Sequence, residues 1–208
     1  MLPPVIPIFP LPNVVLFPNV QLPLHIFEPR YRAMLADALA RDRLIGMVLL
    51  RPGWEREYEG RPPIFPVGCA GVVTHAERLP DGRSNIVLRG IQKFRVEGEQ
   101  PGRPYRLAVV RPLADPLGEG DRERLRDLWP RLERLVFARV AAPGARRLPD
   151  DLPGPDVVNA LAQYLDLEPL ERQALLECDG PLARGRLLAD LLEMKLIGAG
   201  RAGAGGVH

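Results

Sequence analysis

The chain has 208 residues, of which 46% are hydrophobic and 26% charged, a composition that excludes a disordered tail or a membrane bundle and fits one or two folded domains. Its 28 basic residues nearly balance its 26 acidic ones, so charge argues for solubility and not for a general attraction to nucleic acid. There is one serine, Ser84, and one threonine, Thr74; lysine occurs only as Lys93 and Lys195, cysteine only as Cys69 and Cys178, and histidine as His25, His75 and His208.

No formal charge occurs from Met1 to Phe27, a length that by itself would suit a membrane span. Seven prolines, from Pro3 to Pro23, break it, and Asn13, Asn19, Gln21 and His25 would be costly in lipid. It also lacks the basic flank and cleavage site of a secretory signal. A cytoplasmic protein with free thiols is expected, with no membrane association.

Val5 to Leu11 and Asn13 to Phe17 read as proline-interrupted edge strands. Leu22, Leu24 and Ile26 then alternate with Gln21, Pro23 and His25, the period of a strand with one buried face. Pro29 suits the first position of a helix whose Tyr31, Met34, Leu35, Ala38 and Leu39 fall on one side. Leu44 to Leu50 is a continuous apolar run of a strand covered on both faces. A polar loop around Glu55 to Pro63 precedes Val67 to Thr74, a strand with Gly68 and Gly71 at points of bending or close approach. Pro80-Asp81-Gly82 predicts a hairpin turn, with further strands at Ile86 to Leu88, Ile91 to Val96 and Leu107 to Val110. Several short strands with one helix and no βαβ rhythm favour a small barrel.

Near Leu117 the period changes. Residues 1–118 carry 15 basic and 11 acidic residues, and residues 119–208 carry 13 and 15, which marks a second, helical module. Leu125, Leu128, Leu132, Leu135 and Val136 recur at helical spacing, and Pro130 predicts a kink or restart near Trp129. Pro155, Pro169 and Pro181 each suit a helix start, and the last helix displays Leu188, Leu191, Leu192 and Leu196. The expected organisation is a barrel over 1–117, a helical domain over 118–197 and a disordered Gly/Ala-rich tail over 198–208.

The scarcity of reactive groups decides most questions of chemistry. A P-loop needs lysine followed by Ser or Thr, whereas Lys93 precedes Phe94 and Lys195 precedes Leu196. Gly198-Ala199-Gly200-Arg201-Ala202-Gly203 matches the letters of a dinucleotide fingerprint but follows a helix instead of a strand. Ser84 lacks a nucleophile elbow, and Cys69 and Cys178 read as structural; a small hydrolase using Cys69, paired with His75, or Ser84 remains an alternative. The spacing of the cysteines and histidines suits no metal, and no cofactor is expected. Arg89, Lys93, Arg95, Arg103 and Arg106, with Phe94 and Tyr105 as stacking surfaces, form the best basic cluster. They carry the other alternative, an RNA-binding barrel, set against a simpler reading with Phe94 inside and the charges outside.

The run from Ile6 to Leu35, IPIFPLPNVVLFPNVQLPLHIFEPRYRAML, resembles the N-terminal substrate-binding domain of the Lon protease family, especially its stand-alone bacterial relatives. Val67-Gly68-Cys69-Ala70-Gly71-Val72-Val73 is similar to that family's G-x-x-G-x-V strand. Asp81-Gly82-Arg83, followed by Ile86 to Arg95, is similar to its hairpin ending in G-x-x-[RK]-F-R. Asn19 stands where relatives commonly have glycine, and asparagine tolerates the left-handed turn. The resemblance extends over about residues 5 to 197 and implies an α+β fold, a PUA-like β-barrel followed by a C-terminal helical bundle. It implies a protein- or peptide-recognition module without the ATPase and protease parts, binding unfolded or partly folded chains and acting in quality control or as an adaptor to a separate protease or chaperone. A cleft at the junction of the two modules, or an exposed strand edge, would take the partner. The residues expected near such a surface are Phe17, Pro18, His25, Phe27, Arg30, Tyr31, Trp54 and Tyr58, with Phe27 and Tyr31 also suited to the core.

Overall fold

Val5–Leu11 (β1), Gln21–Ile26 (β2), Leu44–Leu49 (β3), Val67–Arg78 (β4), Ser84–Gln100 (β5) and Arg106–Pro112 (β6) are the strands of the computed structural model, which describes residues 2–57, 60–139 and 154–204. Their order is β2-β5-β4-β3-β1-β6, and β5 also pairs with β6. Five strands therefore form a ring, β1, β3, β4, β5 and β6, while β2 is attached to β5 alone. Only β1 and β3 run parallel. The 17-residue β5 reaches both neighbours because its first half faces β2 and its second half faces β6.

The β4–β5 turn forms where Pro80-Asp81-Gly82 predicts it. Gly82 has φ of 81°, a region open to glycine at little cost, and the Arg83 N–H donates to the Asp81 carboxylate at 3.0 Å. Ile86 to Leu88 and Ile91 to Val96 belong to one strand with a bulge against β4 between them: Gly90 pairs with Gly71 and Gln92 with Ala70, and Leu88 and Phe94 fall in different core clusters. Asn13 to Phe17 departs further from expectation: it is an irregular segment whose Val15, Leu16 and Phe17 are buried. Its turn closes onto β5, where the Asn19 N–H donates to the Gly90 carbonyl at 2.9 Å. Asn19 itself has φ of 61°.

Pro29–Leu39 (α1) joins β2 to β3 and buries Tyr31, Met34, Leu35 and Ala38. The second half forms Asp121–Arg139 (α2), Pro155–Tyr164 (α3), Pro169–Glu177 (α4) and Pro181–Ala204 (α5), with proline opening each of the last three. Pro130 lies inside α2 without a restart. Its ring sits on the exposed side, and the next residue, Arg131, ties the helix to α5 through Asp190 at 2.9 Å and Glu193 at 2.8 Å. α5 continues past Ile197 into the stretch read from the sequence as a disordered tail. The helix, once propagated, gains a backbone bond per added residue and carries Gly198 to Ala204 with it; residues 205–208 lie outside the described residues.

The two halves share one core. Phe9, Leu16, Met34, Met47 and Leu88 belong to the same buried cluster as Leu132, Leu175, Leu188 and Leu192.

Candidate functional site

The expected cleft between strands and helices is filled, mainly by the Phe17-Pro18 segment. Both residues are buried, which removes them from any accessible surface. The Phe17 N–H donates to Gln163 Oε1 at 3.3 Å, and the Pro18 carbonyl accepts from Asn159 Nδ2 at 3.0 Å. Arg184 lies over the Phe17 ring, 5.7 Å from its centroid. It is completely buried and satisfied by the Leu175 carbonyl, Asn159 Oδ1 and both oxygens of Asp115. Lys93 completes the group, donating to Asp115 at 3.2 Å and to the Cys178 carbonyl at 2.6 Å. This junction ties strands to helices through bonds within the chain.

Accessible surface lies instead along β2. That strand has β5 on one side and, among the described residues, no strand on the other. Pro23 in its middle cannot donate a backbone bond, which blunts the free edge, and the Gln21 carbonyl already accepts the Tyr164 hydroxyl at 2.8 Å. The outward face of β2, β5 and β4 carries a shallow groove of about 350 Å³ lined by Pro23, His25, His75, Glu77, Asn85 and Val87 among others. Strand register explains this set: His25, Asn85 and Glu77 stand opposite one another, as do Pro23, Val87 and His75. His25 Nδ1 is 2.8 Å from Asn85 Oδ1, and Asn85 Nδ2 donates towards Glu77.

At the rim of this groove the Phe27 ring stacks on His25, with centroids 6.1 Å apart. Phe27 is 57% exposed, which overturns the core reading for it. Tyr31 follows that reading and is buried, its ring 4.3 Å from that of Phe9. The eight expected surface residues therefore separate. His25 lines the β2 groove, and Phe27 stacks on it. Arg30 and Tyr31 border a separate pocket at the other side of α1's first turn, Trp54 is half-buried in a short 3-10 turn, Trp54–Glu57, and Tyr58 lies outside the described residues.

The residues of the other two readings are dispersed as well. Cys69 is fully buried, and burial pushes its thiol up to about 12, which opposes the thiolate that nucleophilic attack requires; His75, its supposed partner, is exposed. Ser84 is buried at the hairpin end of β5. Phe94 and Tyr105 are buried and Lys93 is turned into the junction, so the stacking surfaces of the RNA reading face inward.

Asp115 and Arg184 were missed from sequence. One signal was available for Arg184: it lies four residues before Leu188 and eight before Leu192, on the buried stripe of α5.

Among the described residues no helix is long and apolar enough to cross a membrane. Solved structures share the fold. The Lon N-terminal domain protein from Xanthomonas campestris superposes with a TM-score of 0.60 at 24% identity, over 91% of this chain and 97% of that one. The N-terminal domain of Mycobacterium avium complex Lon protease does so with a TM-score of 0.66 at 18% identity, over 91% and 98%. In sequence, Lon protease 2 of Myxococcus xanthus is 28% identical over 93% of this chain, and Lon protease of Trichlorobacter lovleyi is 27% identical over 92%. The chain spans 24% of the length of each of those two relatives. Residues 5–194 match the family described as ATP-dependent protease La (LON) substrate-binding domain, and with that match across strands and helices alike, the chain belongs to this substrate-binding family.

Proposed function

We propose that this protein is a non-catalytic recognition module that binds unfolded or partly folded polypeptides in the cytoplasm, as an adaptor or quality-control factor for a separate protease or chaperone. The observation that carries this reading is the exposed Phe27, held on His25 at the rim of the β2 groove. A ring of this size left in water on a rigid sheet is an anchor for apolar side chains of a partner. The groove offers Pro23 and Val87 to apolar groups and Asn85, Glu77 and the histidines to backbone amides. Because Pro23 interrupts the free edge, partners dock by side chains in the groove more than by long strand addition.

Fluorescence anisotropy with a labelled, reduced and alkylated globular protein, which stays unfolded without denaturant, tests the reading. The unfolded form binds and its native form does not, and Phe27→Ala weakens binding about tenfold or more, equivalent to ~1.4 kcal/mol. Equal binding of native and unfolded forms, or indifference to Phe27→Ala, rejects it.

A further inference from the structure

At the opposite side of α1's first turn, four guanidinium groups, those of Arg30, Arg61, Arg103 and Arg106, line one pocket of about 190 Å³. Among the described residues that line it there is no aspartate or glutamate. The carboxylates that pair with these arginines are not among the lining residues: Glu28 pairs with Arg30, Glu99 with Arg61 and Arg106, and Asp37 with Arg103. Among the described residues, three carboxylates pair with these four guanidiniums.

The four arginines are not equivalent. Arg106 is fixed, with Nε and one terminal nitrogen on the two oxygens of Glu99 and the other terminal nitrogen on the Pro62 carbonyl at 2.7 Å. Arg61 meets Glu99 through a single contact at 3.5 Å, and Arg103 meets Asp37 through one nitrogen at 3.1 Å. Each guanidinium has five N–H donors, so Arg61 and Arg103 retain most of theirs for an incoming group. Tyr105 donates its hydroxyl to the same Asp37 oxygen at 2.6 Å, and Asp37 lines a neighbouring pocket instead of this one. The remaining wall is apolar, made by Pro10, Leu50 and Pro104.

We propose that this pocket binds a carboxylate carried on an apolar group, with Arg61 and Arg103 closing on the oxygens in the forked geometry that suits guanidinium and carboxylate and the prolines and leucine covering the apolar part. The volume lies below the about 300–1,000 Å³ of drug-sized ligand sites and suits one residue-sized group. Two sources offer this chemistry, the free C-terminus of a polypeptide and a small carboxylic acid. The site is separate from the β2 groove and does not depend on the reading of that groove.

Calorimetric titration of the full chain compares four probes: a hexapeptide ending in leucine with a free carboxylate, the same peptide amidated, N-acetyl-leucine, and inorganic phosphate. The acid peptide or N-acetyl-leucine binds at least tenfold tighter than the amide, and affinity falls as salt rises. A tighter peptide identifies a polypeptide terminus as the source, and equal affinities identify the free acid; both support the site. Arg61→Gln with Arg103→Gln abolishes the preference, while the thermal midpoint, read in parallel, reports that the variant is folded. Phe27→Ala leaves the preference unchanged. Equal binding of acid and amide, a preference that survives the double variant in folded protein, or phosphate binding as tightly as the acids, which means an adventitious ion only, overturns the proposal.

Discussion

Arg184, completely buried in α5, grips the carboxylate of Asp115 through both terminal nitrogens, at 2.8 and 3.0 Å. Asp115 follows the last strand, so this one pair fixes the helical half on the sheet. Arg184→Ala removes both guanidinium contacts of Asp115 and leaves the Leu175 carbonyl and Asn159 Oδ1 without this donor, and breaking a buried pair of this kind costs about 3–5 kcal/mol. Arg184→Met, which keeps the volume and removes the charge, leaves Asp115 with Lys93 alone; adding Asp115→Leu does not recover the loss, because the buried Lys93 ammonium then keeps only the Cys178 carbonyl. Urea unfolding of the three variants measures this.

Phe17 and Phe27 lie ten positions apart and have opposite fates. Phe17→Ala empties a fully buried site and is expected to cost about 3–5 kcal/mol. Phe27→Ala removes a ring already in water and is expected to shift stability by no more than about 0.5 kcal/mol while weakening the binding of unfolded chains. Denaturant midpoints for both variants separate the core residue from the recognition residue.

Gly90 is required by close approach. A Cβ there would lie 2.1 Å from the Phe17 carbonyl oxygen, and the Gly90 N–H also donates to the Val20 carbonyl at 2.9 Å. Gly90→Ala must push the Phe17 segment out of the junction, a cost at the upper end of about 1–3 kcal/mol for overpacking. Gly98, on the same strand, has nothing within 4 Å of such an atom, and Gly98→Ala is the matched control with a near-zero effect.

Burial holds the Cys69 thiol protonated up to about pH 12, whereas in the unfolded chain it ionises near pH 8.5. Between these values the native state binds more protons than the unfolded state, so stability is fully present below about pH 8.5 and falls as pH rises, with a slope approaching ~1.4 kcal/mol per pH unit. Tyr105, also raised by burial and by donating to Asp37, acts in the same direction at higher pH. Cys69→Ala is expected to flatten the decline of the urea midpoint between about pH 9 and 11; an unchanged slope would show that the thiol is not the titrating group.

Much of the architecture was legible from period and punctuation. Alternation placed β2, the Pro80-Asp81-Gly82 turn placed the β4–β5 hairpin, and proline marked the first residue of α1, α3, α4 and α5, because each of these signals acts within a few residues. The failures were long-range. Asn13 to Phe17 has strand-like composition, but Phe17 bonds Gln163, and Pro18 and Asn19 after it bond Asn159 and Gly90, partners that no local pattern announces. Lys93 alternates like an outward charge yet points inward, since Asp115 and a helix-end carbonyl lie beneath it. Asn19 was read correctly as a left-handed turn residue, but its side chain also donates to Asp156 on α3 at 2.9 Å, a bond that glycine could not make. His25 and Phe27 were named from sequence as candidate surface residues; that Phe27 faces water depends on the path of β2, which only the fold decides.

The pairing of β1 with β6, Val5 opposite Val109, joins the beginning of the ring to a strand about a hundred residues away, the kind of non-local contact that slows folding. During translation β1 must wait for β6 to leave the ribosome before it gains its second neighbour, and the clamp supplied by Arg184 arrives later still. The uncharged, proline-rich β1 segment thus stays without its β6 neighbour while the intervening chain is made. Chains stalled with β6 still in the exit tunnel are expected to be cut by protease within residues 5–20, and chains released at full length to be protected there.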